Sequence, residues 1–354
     1  MTAAAQQSTA SPRRRIVVGG ERSQVGSVRD FAIDQSGMFY VLDDEDFTVK
    51  VVDARGNVQR RMGGKGHGPG ELWTPAALRL ADSTLTVTDA SNGLISFSTA
   101  GRLLSNTRRP TLAGSRAVSM RGGVRLGIEP SDQNTKAVGL LFDTLLVLTA
   151  TRAGSKPDTL ALIRRDLAWY RVPGSPPITL ISGFGNSATW TTIGDSLAII
   201  ADGITGDVRF LTFDERGWQI SRRDVVGHTA RRATANDRAE AQRRHAASTR
   251  AITISNGEVR GGPALPPGTL DGLPTYISVA SHSFASFDGA VWVGSYIESN
   301  TTVGSRWTVF RKNQNPLRTT LPPSVRIRAV RGTTAYAITE TEDGFRVIEA
   351  FTAR

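Results

Sequence analysis

Phe31–Pro75 reads FAIDQSGMFYVLDDEDFTVKVVDARGNVQRRMGGKGHGPGELWTP, and its rhythm decides the fold class. Counted from Asp30, the runs DFAID, MFYVLD, TVKVVD and VQRRM are rich in β-branched and aromatic side chains. Between them stand Gln35-Ser36-Gly37, the polar loop after Asp43, and Ala54-Arg55-Gly56-Asn57, all of which are turn sequences. Short apolar runs punctuated by Gly, Asp, Asn and Ser read as consecutive hairpins, so four antiparallel strands are expected here.

The pattern returns about 45 residues later. AALRLA at Ala76–Ala81 leads to TLTVTD at Thr84–Asp89, LISFST at Leu94–Thr99, the turn Ala100-Gly101, and LLSNTR. Asp89 answers Asp43, and Gly101 answers Gly56. Self-similarity at this period predicts propeller blades rather than a helical solenoid. Four later units are less sharply drawn. The third has VRLGIE, LLVLTA and TLALIRR around a loop at Pro130–Thr135; the fourth has SATWTT, SLAIIAD, DVRFLTFD and WQISRRD. The fifth has SFASFDGAVWVGSYI, RWTVFRK and PLRTTL, and the sixth has VRIRAV, TAYAITE and FRVIEAF. The sixth lacks one strand, which Arg15-Ile16-Val17-Val18 supplies, leaving no strand edge open. The expected fold class is all-β: a single six-bladed β-propeller of four-stranded antiparallel blades over 15–354, its ring closed by the N-terminal strand. A polar basic tail, 1–14, precedes it. A short helical insertion is expected between blades 4 and 5, at about 229–249, where Thr234 with Asp237 resembles a capping box and Ala235–Ala247 favours helix. A Gly/Pro-rich loop follows at Gly261–Pro274.

Phe31–Pro75 resembles an NHL-type repeat of the bacterial six-bladed β-propellers. The resemblance is carried by Asp34, Gly37, Asp43, Val52, Asp53, Gly56, Gly66, Gly68, Pro69, Gly70, Glu71 and Pro75. It covers the first two blades and implies the fold, but not an activity, because this fold hosts unrelated roles. Similar lactonases hold a calcium ion at the central channel, and similar lyases a zinc with histidine ligands.

Composition narrows the chemistry. The 354 residues include 43 Lys+Arg against 32 Asp+Glu, a formal charge of +11, and 39% are hydrophobic, enough for a sizeable core. The absence of cysteine excludes disulfides, thiolate nucleophiles and Cys-ligated metals. Gly139–Ala150 is the longest apolar stretch and contains Asp143, so it falls short of the roughly 20 residues that cross a bilayer. Met1–Arg15 has no apolar signal core. A cytoplasmic location follows, peripheral to a membrane or not, with the periplasm as the expectation if the true start differs. Lysine is scarce (Lys50, Lys65, Lys136, Lys156 and Lys312), so the positive charge is mostly guanidinium, which pairs bidentately with carboxylates and phosphates.

No residue is assigned a catalytic role. His67, His228, His245 and His282 form no H-x-H or H-E-x-x-H pair, so neither a metal nor another cofactor is expected. Gly63–Gly70 departs from the P-loop order and precedes a strand, so it is read as a blade connector. Asp43-Asp44-Glu45-Asp46 lacks EF-hand spacing and is read as a solvated turn. Nothing matches G-x-S-x-G. The innermost runs offer Asp30 and Asp34, but also Arg79, Arg116, Arg326 and Arg328, which oppose calcium and favour an anion. Arg79, Arg116, Arg328 and His282 are therefore the candidate channel anion site.

The pairs Arg60-Arg61, Arg108-Arg109, Arg164-Arg165 and Arg222-Arg223 fall in or beside outermost strands, where charge discourages edge-to-edge pairing. Arg13, Arg14, Arg15, Arg231, Arg232, Arg243 and Arg244 lie off that ring and are the candidate partner-binding residues. The expected function is a non-enzymatic scaffold for protein–protein interaction, an accessory subunit extrinsic to a membrane assembly. Its partner would be an acidic protein, a multi-subunit membrane complex or an anionic membrane surface. Nucleic acid is not expected, because no stacking aromatics interleave the basic residues. The alternative is a lactonase- or lyase-like propeller enzyme, or a small-anion binder, with its site at the channel mouth.

Overall fold

The computed structural model describes residues 12–20, 24–81, 83–107, 118–119, 124–130, 140–141, 144–152, 158–165, 167–170, 178–181, 189–193, 197–214, 217–227, 230–237, 239, 252–255, 258–261, 276–277, 279–280, 282–295, 304–323 and 325–354. It is nearly all β and forms two compact units. One comprises Met1–Gly114, Phe284–Trp292 and Glu298–Arg354; the other comprises Ser115–Ser283 and Val293–Ile297.

Arg13–Val18 (β1) is followed by Val28–Ile33 (β2), Phe39–Asp43 (β3), Thr48–Val52 (β4) and Val58–Gly63 (β5); β2 to β5 form one sheet in chain order. Pro75–Ala81 (β6), Thr84–Asp89 (β7), Gly93–Ser98 (β8) and Leu103–Thr107 (β9) form the next, again in order. Val118–Ser119 (β10), Val124–Pro130 (β11), Leu140–Leu141 (β12), Thr144–Arg152 (β13), Asp158–Arg165 (β14), Leu167–Tyr170 (β15) and Ile178–Ile181 (β16) make two sheets, β10-β11-β13-β14 and β12-β15-β16. Thr189–Ile193 (β17), Leu197–Ala201 (β18), Asp207–Asp214 (β19) and Gly217–Val225 (β20) form a further four-stranded sheet. Arg231–Arg232 (β21), Ile252–Ser255 (β22), Glu258–Gly261 (β23) and Tyr276–Ile277 (β24) pair as β21-β24 and β22-β23. His282–Ala285 (β25), Val291–Ser295 (β26), Ser305–Arg311 (β27) and Gln314–Leu321 (β28) form another sheet in order. The last sheet runs Ile327–Arg331 (β29), Thr334–Glu340 (β30), Arg346–Thr352 (β31) and then β1.

One turn design recurs at the hairpins. At Asp34–Met38, Asp53–Asn57, Ser98–Arg102, Ser286–Ala290 and Thr341–Phe345, the first residue and the fifth close the strands by an N–H to carbonyl bond. The glycine at the fourth position donates back to the first carbonyl in each. Those glycines sit at φ of 90° (Gly37), 88° (Gly56), 93° (Gly101), 87° (Gly289) and 82° (Gly344), the left-handed conformation that an L side chain resists. The Asp34, Asp53, Ser98 and Thr341 side chains also accept the fifth residue's N–H. That explains why an oxygen-bearing side chain starts these turns.

In the first unit the sheets stack face to face. Every residue of β3 and β4 is buried, as expected for strands covered on both faces. Tyr40, Leu42, Val49 and Val51 pack with Leu78, Leu85, Val87 and Ile95 of the second sheet. Phe39, Val41 and Val52 face the opposite way, onto Val18 and Ile348 of the last sheet. Strand β2 lies beside both β6 and β29. Asp30, buried at a bulge in β2, accepts the Leu78 N–H of β6 at 2.9 Å and so ties the first strands of two sheets together. This is blade-on-blade packing of the propeller type.

Three expectations are corrected. Asp43 is not a solvated turn residue: it is fully buried, paired with Lys50 at 2.6 Å, and accepts the N–H groups of Gly26, Ser27 and Glu45. Its counterpart Asp89, also buried, accepts those of Trp73, Thr74, Ser91 and Asn92. Each carboxylate thus pins the segment entering its own sheet, a task set by tertiary proximity. Second, the third unit carries the additional sheet β12-β15-β16, built from short runs such as LAWY and ITLI that are too brief to stand out in the sequence. Third, Arg231–Arg232 is a strand pairing Tyr276–Ile277, not part of a helix. Helical conformation is described at Ala235, Asn236, Asp237 and Ala239, and residues 240–250 lie outside the described residues. The box at Thr234 and Asp237 is reciprocal: Thr234 N–H donates to Asp237 Oδ2 at 2.7 Å, and Asp237 N–H to Thr234 Oγ1 at 3.3 Å.

Candidate functional site

A cavity of about 470 Å³ lies at the end of the last sheet where β29 starts, β30 ends and β31 starts. Its charged lining consists of Arg14 of β1, Arg326 just before β29, Arg328 of β29, Glu340 of β30, and Arg346 and Glu349 of β31. Four guanidiniums against two carboxylates leave the cavity net positive.

Alternation along β31 explains how a glutamate reaches this wall. Ile348 packs into the core shared with the first sheet, so Glu349 points from the opposite face. There it is buried, and Arg14 Nε donates to its Oε1 at 2.6 Å. Hydrogen bonding to Glu349 raises the Arg14 pKa above its ordinary value. Glu349 Oε2 and Thr339 Oγ1, both in the lining, are buried without a hydrogen-bond partner among the described residues.

The other cations differ in freedom. Arg346 lies opposite Glu340 across the strand pair, yet its Nη1 turns to Asp44 Oδ2 at 3.6 Å and its Nη2 to the Arg29 carbonyl. Arg326 Nη1 donates to the Pro323 carbonyl at 3.1 Å. Arg328 and Glu340 are both exposed, and neither has a partner among the described residues.

The residues singled out in the sequence meet different fates. Arg14 and Arg328, assigned to separate sites, line one cavity. Arg79 is exposed on β6 and is not part of that lining; Arg116 lies outside the described residues; His282 is exposed on β25. Arg13 and Arg15 are exposed on β1, which starts two residues before the expected Arg15. Arg231 is engaged bidentately by Asp237 at 2.7 and 2.8 Å, and that pairing holds the Asp237 carboxyl far below its ordinary range. Arg231 therefore anchors its own loop, while Arg232 is exposed, and Arg243 and Arg244 lie outside the described residues.

Among the paired arginines, Arg60-Arg61, Arg164-Arg165 and Arg222-Arg223 are on β5, β14 and β20, each the terminal strand of its sheet. Arg108-Arg109 lies outside the described residues. Arg60 donates to the Thr99 carbonyl, and Arg222 pairs with Asp224 while its guanidinium stands 5.0 Å from the Phe210 ring centre. Arg346, Glu340 and Glu349 were missed as site residues, because single charges at or within a strand carry no signal until the strands converge.

The Gly63–Gly70 connector links β5 to β6. Its anion-cradle appearance is cancelled from within: Glu71 folds back so that its Oε2 accepts the Gly68 N–H at 2.7 Å. Asn92 Nδ2 donates to the Gly66 and Glu71 carbonyls, so its Oδ1 must accept from His67 Nδ1 at 3.0 Å. Neither the acidic run Asp43–Asp46 nor the pair Asp30 and Asp34 converges with other acidic or histidine side chains on a cation position among the described residues. Asp30 holds the Leu78 N–H, and Asp34 holds its own hairpin and the Tyr40 hydroxyl. Among the described residues, no helix is long and apolar enough to cross a membrane.

No family model and no curated protein matches the sequence. Similar solved structures include virginiamycin B lyase from Staphylococcus aureus, 8% identical over 96% of this chain and 99% of that one, with a TM-score of 0.40. A member of the DUF4221 family from Bacteroides vulgatus is 9% identical over 98% of both chains, with a TM-score of 0.42. The calcium-binding protein regucalcin from Agrobacterium tumefaciens is 10% identical over 98% and 96%, with a TM-score of 0.35. At these values neither lyase chemistry nor calcium binding carries over to this chain.

Proposed function

We propose that this chain is an NHL-like, six-bladed propeller, closed by β1, that works as a binding module and holds an anionic group in the cavity of its last sheet. The observation that supports this most directly is Arg328: a guanidinium without a partner among the described residues, on the wall of a cavity lined by three further arginines. Guanidinium binds carboxylate or phosphate bidentately, and Arg14, Arg326 and Arg346 in the same lining add to the positive charge there. The test is calorimetric titration with succinate and with inorganic phosphate at low salt. Binding that Arg328→Gln weakens about tenfold, at unchanged melting temperature, is the expected result. Absence of heat with either anion would sink the proposal.

The scaffold reading is compatible with this one, since the anion could be a side chain or terminus of an acidic partner. It draws on the exposed guanidiniums of Arg13, Arg15 and Arg232. Such docking would be salt-sensitive, and a pull-down at low and high ionic strength tests it. A partner retained equally at both would count against it.

A further inference from the structure

The cavity offers more than positive charge. Glu340 is exposed on the same lining as Arg328, and neither has a partner among the described residues. Glu340's cross-strand neighbour, Arg346, could have neutralised it but is directed to Asp44 and the Arg29 carbonyl instead. Two opposite charges thus stand on one cavity wall without meeting each other. A volume of about 470 Å³ also exceeds what a lone phosphate or acetate would fill. In the same lining, Glu349 Oε2 and Thr339 Oγ1 are buried oxygens that the described residues leave unsatisfied.

From this juxtaposition we infer that the cavity takes a zwitterionic ligand of the amino-acid or short-peptide class, its carboxylate on Arg328 and its ammonium on Glu340. The inference rests on the anion-binding reading above and adds the second recognition point. A site with only guanidiniums would prefer dianions such as succinate. A site with one free guanidinium and one free carboxylate prefers a ligand that satisfies both, because a dianion or a capped peptide leaves Glu340 without a counter-charge or sets a like charge beside it.

Triglycine, N-acetyl-triglycine and succinate are the probes, titrated calorimetrically into the full chain at low salt. Triglycine is expected to bind about tenfold tighter than its acetylated form, which keeps the carboxylate but loses the ammonium. Glu340→Gln should abolish that preference while leaving N-acetyl-triglycine binding in place, and Arg328→Gln should weaken both peptides. Both substitutions are at exposed positions, so unchanged melting temperatures show that the fold is retained. If N-acetyl-triglycine or succinate binds as tightly as triglycine, the zwitterion inference falls and the anion-binding reading stands. If none of the three binds, both fall together.

Discussion

Asp43 and Asp89 show how a single side chain can be worth more than its position in a loop suggests. Burial disfavours the charged form of Asp43, but bonds from Lys50 and from the Ser27, Glu45 and Gly26 N–H groups outweigh it and hold the carboxyl below its ordinary range. At Asp89 the same burial is outweighed by the N–H groups of Asn92, Trp73, Ser91 and Thr74. Asp43→Ala should cost about 3 kcal/mol, toward the low end for a broken buried pair because Asp46 still faces Lys50 at 2.8 Å. A carboxyl whose folded pKa is depressed stabilises above its unfolded value, about pH 4, and loses that contribution as pH falls through the folded value. Urea midpoints should therefore drop on acidification below about pH 4, and Asp43→Ala with Asp89→Ala should flatten that drop. An equally steep acid loss in the double variant would show that other groups are responsible. The equivalence of the two aspartates was legible in the repeat. Their burial was not, because two of the donors to each, Gly26 and Ser27 for Asp43 and Trp73 and Thr74 for Asp89, arrive from the segment that precedes the sheet.

At the scale of elements, β1 is the informative one. Its apolar run Arg15-Ile16-Val17-Val18 marked it as the strand the last unit lacked, and it pairs antiparallel with β31. What holds it electrostatically is Arg14 on Glu349, a contact across 335 residues of sequence that no local pattern announces. Arg14→Ala leaves a buried carboxylate without its donor and should lower stability by about 1–3 kcal/mol. In a Glu349→Gln background the same change should cost far less, so the double-mutant cycle in urea reads the coupling itself. Equal losses in the two backgrounds would mean that Arg14 contributes by packing alone. The recurring hairpins lie at the opposite extreme: an Asp, Ser or Thr followed three residues later by Gly is a local rule, and the turns at Gly37, Gly56 and Gly101 were readable from it, whereas those at Gly289 and Gly344 emerged with the structure.

For the whole molecule, a formal charge of +11 sets a background of self-repulsion that screening relieves. The melting temperature should rise as NaCl goes from about 20 to 300 mM, where the Debye length falls to a fraction of its low-salt value. A fall instead would show that attractive pairs such as Arg231 with Asp237 outweigh the net repulsion. Sequence alone determined the all-β class, the four-strand unit, the glycine-bearing turns and the N-terminal strand, since each depends on near neighbours in the chain. The in-order pairing of the first two sheets followed from that repeat, and Arg60-Arg61 falls on the terminal strand of the first. Only the tertiary structure decided which charges meet. It sent Arg346 to Asp44 and Arg14 to Glu349, and left Arg328 and Glu340 facing one cavity without pairing each other. The physical reason is that charge pairing depends on distances between strands far apart in sequence, whereas strand and turn propensity act within a few residues.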